Sequence, residues 1–236
     1  MENKKIAILG SGSWGMALAI LLNNNGYNPY VWSFSEEEAK MINEERKCMF
    51  LPDIQLDENI KCLTSFEEVI NDSMFIIVVT PSHAVRQTIK NCKQYIKQEQ
   101  PVIICSKGIE ENSLLTLAEV VQEELPNNVV GALSGPSHAE EVARAIPTTI
   151  VLAAENDDVL AKLQDVFMSP MLRVYTSKDV ISVEIGGAFK NIIALACGMA
   201  AGLGFGDNTF AALITRGLAE LSRLGVEMGG KEKTFF

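Results

Sequence analysis

Lys190 lies in Ile185-Gly-Gly-Ala-Phe-Lys-Asn-Ile-Ile-Ala-Leu-Ala-Cys197, a stretch that is apolar almost all round when wound as a helix. Such a helix is expected to be buried, and a lysine buried with it needs a partner or a task. Desolvation lowers an ammonium pKa toward the range useful for proton transfer. The bland alternative is a lysine snorkelling at the helix edge. A second lysine, Lys107, stands between Ser106 and Gly108 at the end of the apolar run Val102 to Ser106. There it could meet an anionic or carbonyl substrate, or be an ordinary exposed loop lysine. His83 and His138 are the only histidines, and each is a conceivable acid/base near neutral pH. Both fit a helix start or a surface site better, and no Ser/His/Asp arrangement is suggested by spacing.

Gly10-Ser-Gly12-Ser-Trp-Gly15 directly follows the apolar run Lys5 to Leu9 and opens a helix-like segment from Trp14 to Asn24. Gly10 permits a tight turn, Gly12 lets backbone approach a pyrophosphate, and Gly15 lets helix and strand pack closely. The helix start adds free N–H groups and a partial positive charge. In this strand–turn–helix context the spacing predicts dinucleotide binding rather than a plain tight turn. An acidic partner for the adenosine ribose is expected at the end of the second strand. That end reads Val31-Trp-Ser-Phe34, with neither carboxylate nor arginine, so NAD and NADP both stay open. Glu36-Glu-Glu38, just beyond, fits a solvated first helical turn.

These groups need a scaffold that brings distant segments together. Strand-like runs occur at Lys5 to Leu9, Asn28 to Ser33, Met74 to Thr80 and Val102 to Ser106, with weaker candidates at Val129 to Leu133, Thr148 to Ala153 and Leu172 to Tyr175. A polar helix capped by Ser35 and ending near Arg46, and helical stretches at about 82–96, 113–125 and 157–167, alternate with them. Strands alternating with helices imply a parallel sheet with right-handed crossovers. Ligands then bind beyond the carboxyl ends of the strands. Three such ends are polar: Thr80-Pro-Ser-His83, Ser106-Lys-Gly108 and Ser134-Gly-Pro-Ser-His-Ala139. From about Lys178 only helices are expected. The fold class is α/β, a Rossmann-type parallel-sheet domain at 1–180 that binds the dinucleotide. Residues 181–236 read as a separate, all-helical part.

The formal net charge of −10 disfavours nucleic acid and anionic membrane surfaces, which need a basic footprint. It leaves room for an anionic small molecule held by a few local lysines. Cys48, Cys62, Cys92, Cys105 and Cys197 are odd in number, widely spaced and unaccompanied by His/Cys clusters, so reduced thiols are expected and neither disulfides nor a metal site. No secretory signal is evident. Ile185 to Gly206, the most apolar later segment, contains Lys190, Asn191 and several glycines, and fits a buried helix and loop better than a membrane span. A cytoplasmic protein is expected.

Taken together, Gly10 to Ala19, Ser106-Lys-Gly-Ile-Glu110, Ser134 to Val142, Gly187-Ala-Phe-Lys-Asn191, Gly204-Phe-Gly-Asp-Asn208 and Leu213 to Glu220 resemble bacterial-type NAD(P)-dependent glycerol-3-phosphate dehydrogenases, in that family's order. The resemblance implies reversible reduction of dihydroxyacetone phosphate to sn-glycerol 3-phosphate, a precursor step for glycerophospholipids, with NAD or NADP as cofactor and a phosphorylated triose or polyol as substrate. It implies Lys190 as catalytic proton donor and acceptor, Asn191 as a substrate-placing neighbour, and Lys107 in touch with substrate and cofactor. Gly135 and Ser137 would line the substrate site, with Ala139 near the cofactor, and Gly10, Gly12, Ser13, Trp14, Gly15 and Phe34 on the dinucleotide. Phe34 stands where the family often has a basic residue. Analogy alone suggests a homodimer. The chain stops at Lys231-Glu-Lys-Thr-Phe-Phe236, before the family's Gly-Asp-Leu segment and its Arg-Asn phosphate clamp. The expectation is therefore a truncated helical domain that binds cofactor and turns over poorly or not at all. The alternatives are a catalytically silent dinucleotide-binding fragment and a related β-hydroxyacid dehydrogenase; the Ser-Lys-Gly and Gly-Pro-Ser blocks speak against the latter.

Overall fold

In the computed structural model, which describes residues 4–236, β1 (Lys5–Leu9) is buried on both faces. Its alternate residues divide between two cores. Ile6 and Ile8 join one and Ala7 and Leu9 the other. That division explains why the strand reads as a continuous apolar run rather than an alternation. Around it run β2 (Asn28–Trp32), β3 (Lys61–Leu63), β4 (Ile76–Val78), β5 (Val102–Ile104), β6 (Val130–Ser134), β7 (Thr148–Ala153) and β8 (Leu172–Ser177). They form one sheet in the order β3-β2-β1-β4-β5-β6-β7-β8. The order reverses between β1 and β4, and the switch point lies at their carboxyl ends.

Helices α1 (Ser13–Asn24), α2 (Glu36–Lys40), α3 (Phe66–Ile70), α4 (Val85–Cys92), α5 (Leu117–Glu124), α6 (Ala139–Ala143) and α7 (Asp157–Phe167) fill the connections. Ser35 caps α2 as expected, but the helix continues through a π turn, Met41–Glu45, and ends at Arg46 in a left-handed conformation. The short β3 lies in a segment that reads as featureless, and its pairing with Tyr30 to Trp32 creates it.

The sheet is parallel as expected except at one junction on its far side. β7 runs antiparallel to β6, with Ser134 opposite Val151, and β8 runs parallel to β7. The link from β6 to β7 stays at the ligand end, where α6 packs on α1, and does not cross back over the sheet. A strand entered from that end must run the other way.

The last two helices are α8 (Val180–Gly202) and α9 (Asp207–Glu227). The expectation of a wholly buried helix through Lys190 is also corrected. Val183, Glu184, Ile185 and Gly187 are buried, whereas Ile192, Leu195, Met199 and Leu203 are largely exposed. Only the first turns of α8 have β6, β7 and α5 to pack on.

Glu184 is the anchor of that packing. Both its carboxylate oxygens accept from the Ala118 N–H, at 3.0 and 3.2 Å, at the start of α5. Burial pushes the carboxyl up to about 7, against the pull of its bonds to Thr116 and Ala118. The folded pKa lies above the unfolded one, so the stability it contributes is complete at acid pH and lost as pH rises through about 7. The free energy of unfolding should therefore fall by on the order of 3 kcal/mol from this group as pH rises from 4.5 to about 7. Glu184→Gln should flatten the decline; an equally steep fall in the variant would assign the pH dependence elsewhere.

Candidate active site

The turn after β1 is built by what its glycines exclude. Gly10 has φ +128, and a Cβ there would meet Val79 O at 2.9 Å. A Cβ on Gly15 would overlap Gly10 O and press on the Val79 side chain. Gly12 is different, for a Cβ there meets nothing within 4 Å. It caps the start of α1 with open space beside it. That space belongs to a groove of about 760 Å³ running across the ends of β2, β1, β4 and β5 and reaching Ser137 and Ala139. The first amides of α1 have no partners within the helix and suit an anion above the turn. Two buried polar atoms on the groove, Trp14 Nε1 and Thr80 Oγ1, lack hydrogen-bond partners among the described residues. A dinucleotide fits this wall: open backbone at Gly12, waiting donors, and a volume in the range of cofactor sites.

At the β5 end, Ser106 Oγ donates to Thr80 O at 2.5 Å and the Ser106 N–H to Val78 O at 3.2 Å. Gly108 has φ +142 and lies so close to Ser82 that a Cβ would sit 2.7 Å from its side chain. These ties hold Lys107 over the groove, with Nζ 5.8 Å from the Trp14 ring centre. Beyond it, Arg86 on α4 donates to both Glu110 oxygens, at 2.8 and 2.7 Å, and bridges Glu123 and Glu124 on α5. The turn carrying Lys107 is thereby fastened at its far end.

Lys190 approaches from α8. One turn earlier, Gly187 lies against Ser134, whose hydroxyl a Cβ would overlap. Residues three apart share a helix face, so this close approach brings Lys190 to the end of β6. Its Nζ donates to Gly135 O at 3.1 Å. Lys190 is half-buried rather than buried. The lysine pushed down is Lys107, to about 8, by burial first and then by the neighbouring Lys190. An anion arriving at Lys107 favours its charged form, so NADH affinity should weaken by roughly tenfold between about pH 7 and pH 9. Lys107→Arg, permanently charged, should remove most of that slope. A flat profile in the unsubstituted chain would contradict the placement of Lys107.

Gly10, Gly12, Ser13, Trp14, Gly15, Phe34, Lys107, Ser137 and Ala139 share the groove. Gly135 and Lys190 meet in an adjoining cavity with Ser134. Asn191 is exposed and lines neither. His83 and His138 are exposed at helix starts. Arg216 pairs with Glu220 at 2.9 Å on the surface of α9. All five cysteines are free. The expectation for Glu36 to Glu38 holds for the first two, which are exposed; Glu38 instead turns to Ser11 and Ser33 on the groove wall. Those serines, Met49 and Phe50 also line the groove; Ser11 sits inside the glycine motif and Ser33 at the end of the second strand, whereas Met49 and Phe50 carry no motif by which the sequence marks them.

A strand order of this kind, a glycine turn at its switch point and lysines gathered beside it define a nicotinamide-dinucleotide-dependent dehydrogenase. Comparison with known proteins narrows the class. Residues 5–160 match the profile of the NAD-dependent glycerol-3-phosphate dehydrogenase N-terminus, and residues 179–236 that of its C-terminus. The chain is 50% identical over 236 residues to an NAD(P)+ glycerol-3-phosphate dehydrogenase of Fusobacterium nucleatum, covering 98% of this chain and 70% of that one. It is 46% identical over 233 residues to the Clostridium perfringens protein of the same name, with the same coverage. The crystal structure of glycerol-3-phosphate dehydrogenase from Coxiella burnetii superposes with a TM-score of 0.93 at 36% identity, over 98% of this chain and 71% of that one. The chain belongs to the NAD-dependent glycerol-3-phosphate dehydrogenase family.

Proposed function

We propose that this chain catalyses the reversible reduction of dihydroxyacetone phosphate to sn-glycerol 3-phosphate. The observation that carries the reading is the meeting of Lys190, from α8, with Lys107 and Gly135, from the ends of β5 and β6, beside the groove of the glycine turn. When bound, a reduced nicotinamide supplies the hydride. The chain's own residues manage the charge that builds on the substrate oxygen. The Lys190 ammonium hydrogen-bonds that oxygen and gives it a proton, releasing its hold on Gly135 O as it does so. Lys107 adds a second positive charge and, with its pKa brought down to about 8, can restore the proton. Gly135 and Ser137 line the substrate, while Ser13, Trp14, Phe34 and Ala139 hold the cofactor.

The same reading takes residues 1–180 as the dinucleotide domain and 181–236 as the first part of the substrate domain. It places a soluble enzyme in the cytoplasm, in keeping with five free thiols. The test is a substrate panel. Oxidation of NADH or NADPH should depend on dihydroxyacetone phosphate, and the reverse reaction on sn-glycerol 3-phosphate. Reduction of NAD or NADP by β-hydroxyacids without any response to the triose phosphate would overturn the reading.

A further inference from the structure

Glu38 is the third residue of α2, where a glutamate often folds back onto its own cap. Its backbone follows that pattern, since its N–H donates to Ser35 Oγ at 3.2 Å. Its side chain does not. Ser11 Oγ, from the glycine turn, and Ser33 Oγ, from the end of β2, each donate to Glu38 Oε2 at 2.5 Å. Both serines are buried, at 6% and 1% exposure. Among the described residues no group donates to Oε1. The carboxylate is thus planted between the β1 turn and the end of β2, on the groove wall. In a groove of this topology that corner receives the adenosine ribose.

Among the described residues the corner holds no compensating cation. Lys107 is the one lysine or arginine on the groove wall among the described residues, and it follows the end of β5, three strands from β2. At ordinary strand spacing that is about 14 Å across the sheet. Lys40 reaches toward Glu44 at 3.9 Å and Arg46 donates to Ile60 O at 3.4 Å, both off the groove. Phe34, 85% exposed at the same corner, offers an apolar face suited to adenine.

Resting on the dinucleotide reading of the groove, we propose that Glu38 is a specificity-determining residue that selects NAD(H) against NADP(H). Oε1 accepts the ribose 2′-hydroxyl of NAD(H). A 2′-phosphate would set a second anion against the carboxylate, with no guanidinium to receive it. The experiment is titration of the purified chain with NADH and, separately, with NADPH, by calorimetry and without substrate. NADH should bind at least about tenfold more tightly, the scale of an uncompensated like-charge contact. Glu38→Gln keeps the size and an acceptor for the serines while removing the charge, and should shrink that ratio several-fold, mainly through tighter NADPH binding. Equal affinities in the unsubstituted chain, or an unchanged ratio in the variant, would overturn the proposal. Failure of both dinucleotides to bind would strike the reading of the groove itself, and the proposal with it.

Discussion

Lys190→Ala should lower turnover in dihydroxyacetone phosphate reduction by at least about a hundredfold, the usual scale for loss of a general acid. Nζ is held 3.1 Å from Gly135 O, so the ammonium is oriented before substrate arrives. Without it, the charge growing on the substrate oxygen is left to Lys107 alone, held on the groove side of the site. Lys190→Arg should recover little. Arginine keeps the positive charge but does not readily give up a proton, and its planar fork does not fit where a point charge sits. NADH affinity should stay nearly unchanged in both variants, because Lys190 lies outside the groove wall. Near-normal turnover in either variant, measured at saturating substrate, would exclude Lys190 as the proton donor.

Gly12→Val should weaken dinucleotide binding by roughly a hundredfold or more while leaving the fold intact. A Cβ at Gly12 meets nothing within 4 Å, so a side chain can leave the backbone there without a clash at its root. Gly12 also has extended backbone angles, φ −63 and ψ 175, that valine adopts. The same side chain would occupy the space through which a pyrophosphate reaches the first amides of α1. Charge-assisted hydrogen bonds contribute about 1.5–3 kcal/mol each, so loss of two accounts for a change of that size. Gly15→Ala is the contrasting case. Its methyl group would overlap Gly10 O, so the damage should appear as a lower melting temperature. Titration calorimetry and thermal melts on the two variants separate the effects. Unchanged affinity in Gly12→Val would refute the placement of the pyrophosphate.

The glycine turn could be recognised from sequence because its demands are local: a positive φ at Gly10 and missing side chains at fixed spacing. The cores could be recognised for a related reason, since strands buried on both faces spell continuous apolar runs. β3 could not, because three residues carry no period and its pairing partner is thirty residues away. Nor could the reversal of β7, since periodicity says nothing of strand direction. Lys190 announced itself by standing in an apolar helix, yet the same pattern overstated its burial. Periodicity cannot tell which faces of a helix meet protein: the first turns of α8 pack on the sheet, while its later turns pack on α9 and leave Ile192, Leu195 and Met199 exposed. Glu38 was hidden most completely. In the sequence it is one of three consecutive glutamates, and only the fold brings Ser11 and Ser33 to its side chain.

The most direct test of the account follows the hydride. The chain, in excess over NADH carrying deuterium at nicotinamide C4, is mixed with dihydroxyacetone phosphate, and the product is analysed by mass spectrometry. Excess protein makes even a slow single turnover visible. The account predicts sn-glycerol 3-phosphate bearing one deuterium at C2 when the transferred position is labelled, with one NADH oxidised per product formed. Bound NADH that yields no glycerol phosphate, or product free of deuterium whichever C4 position is labelled, would contradict it.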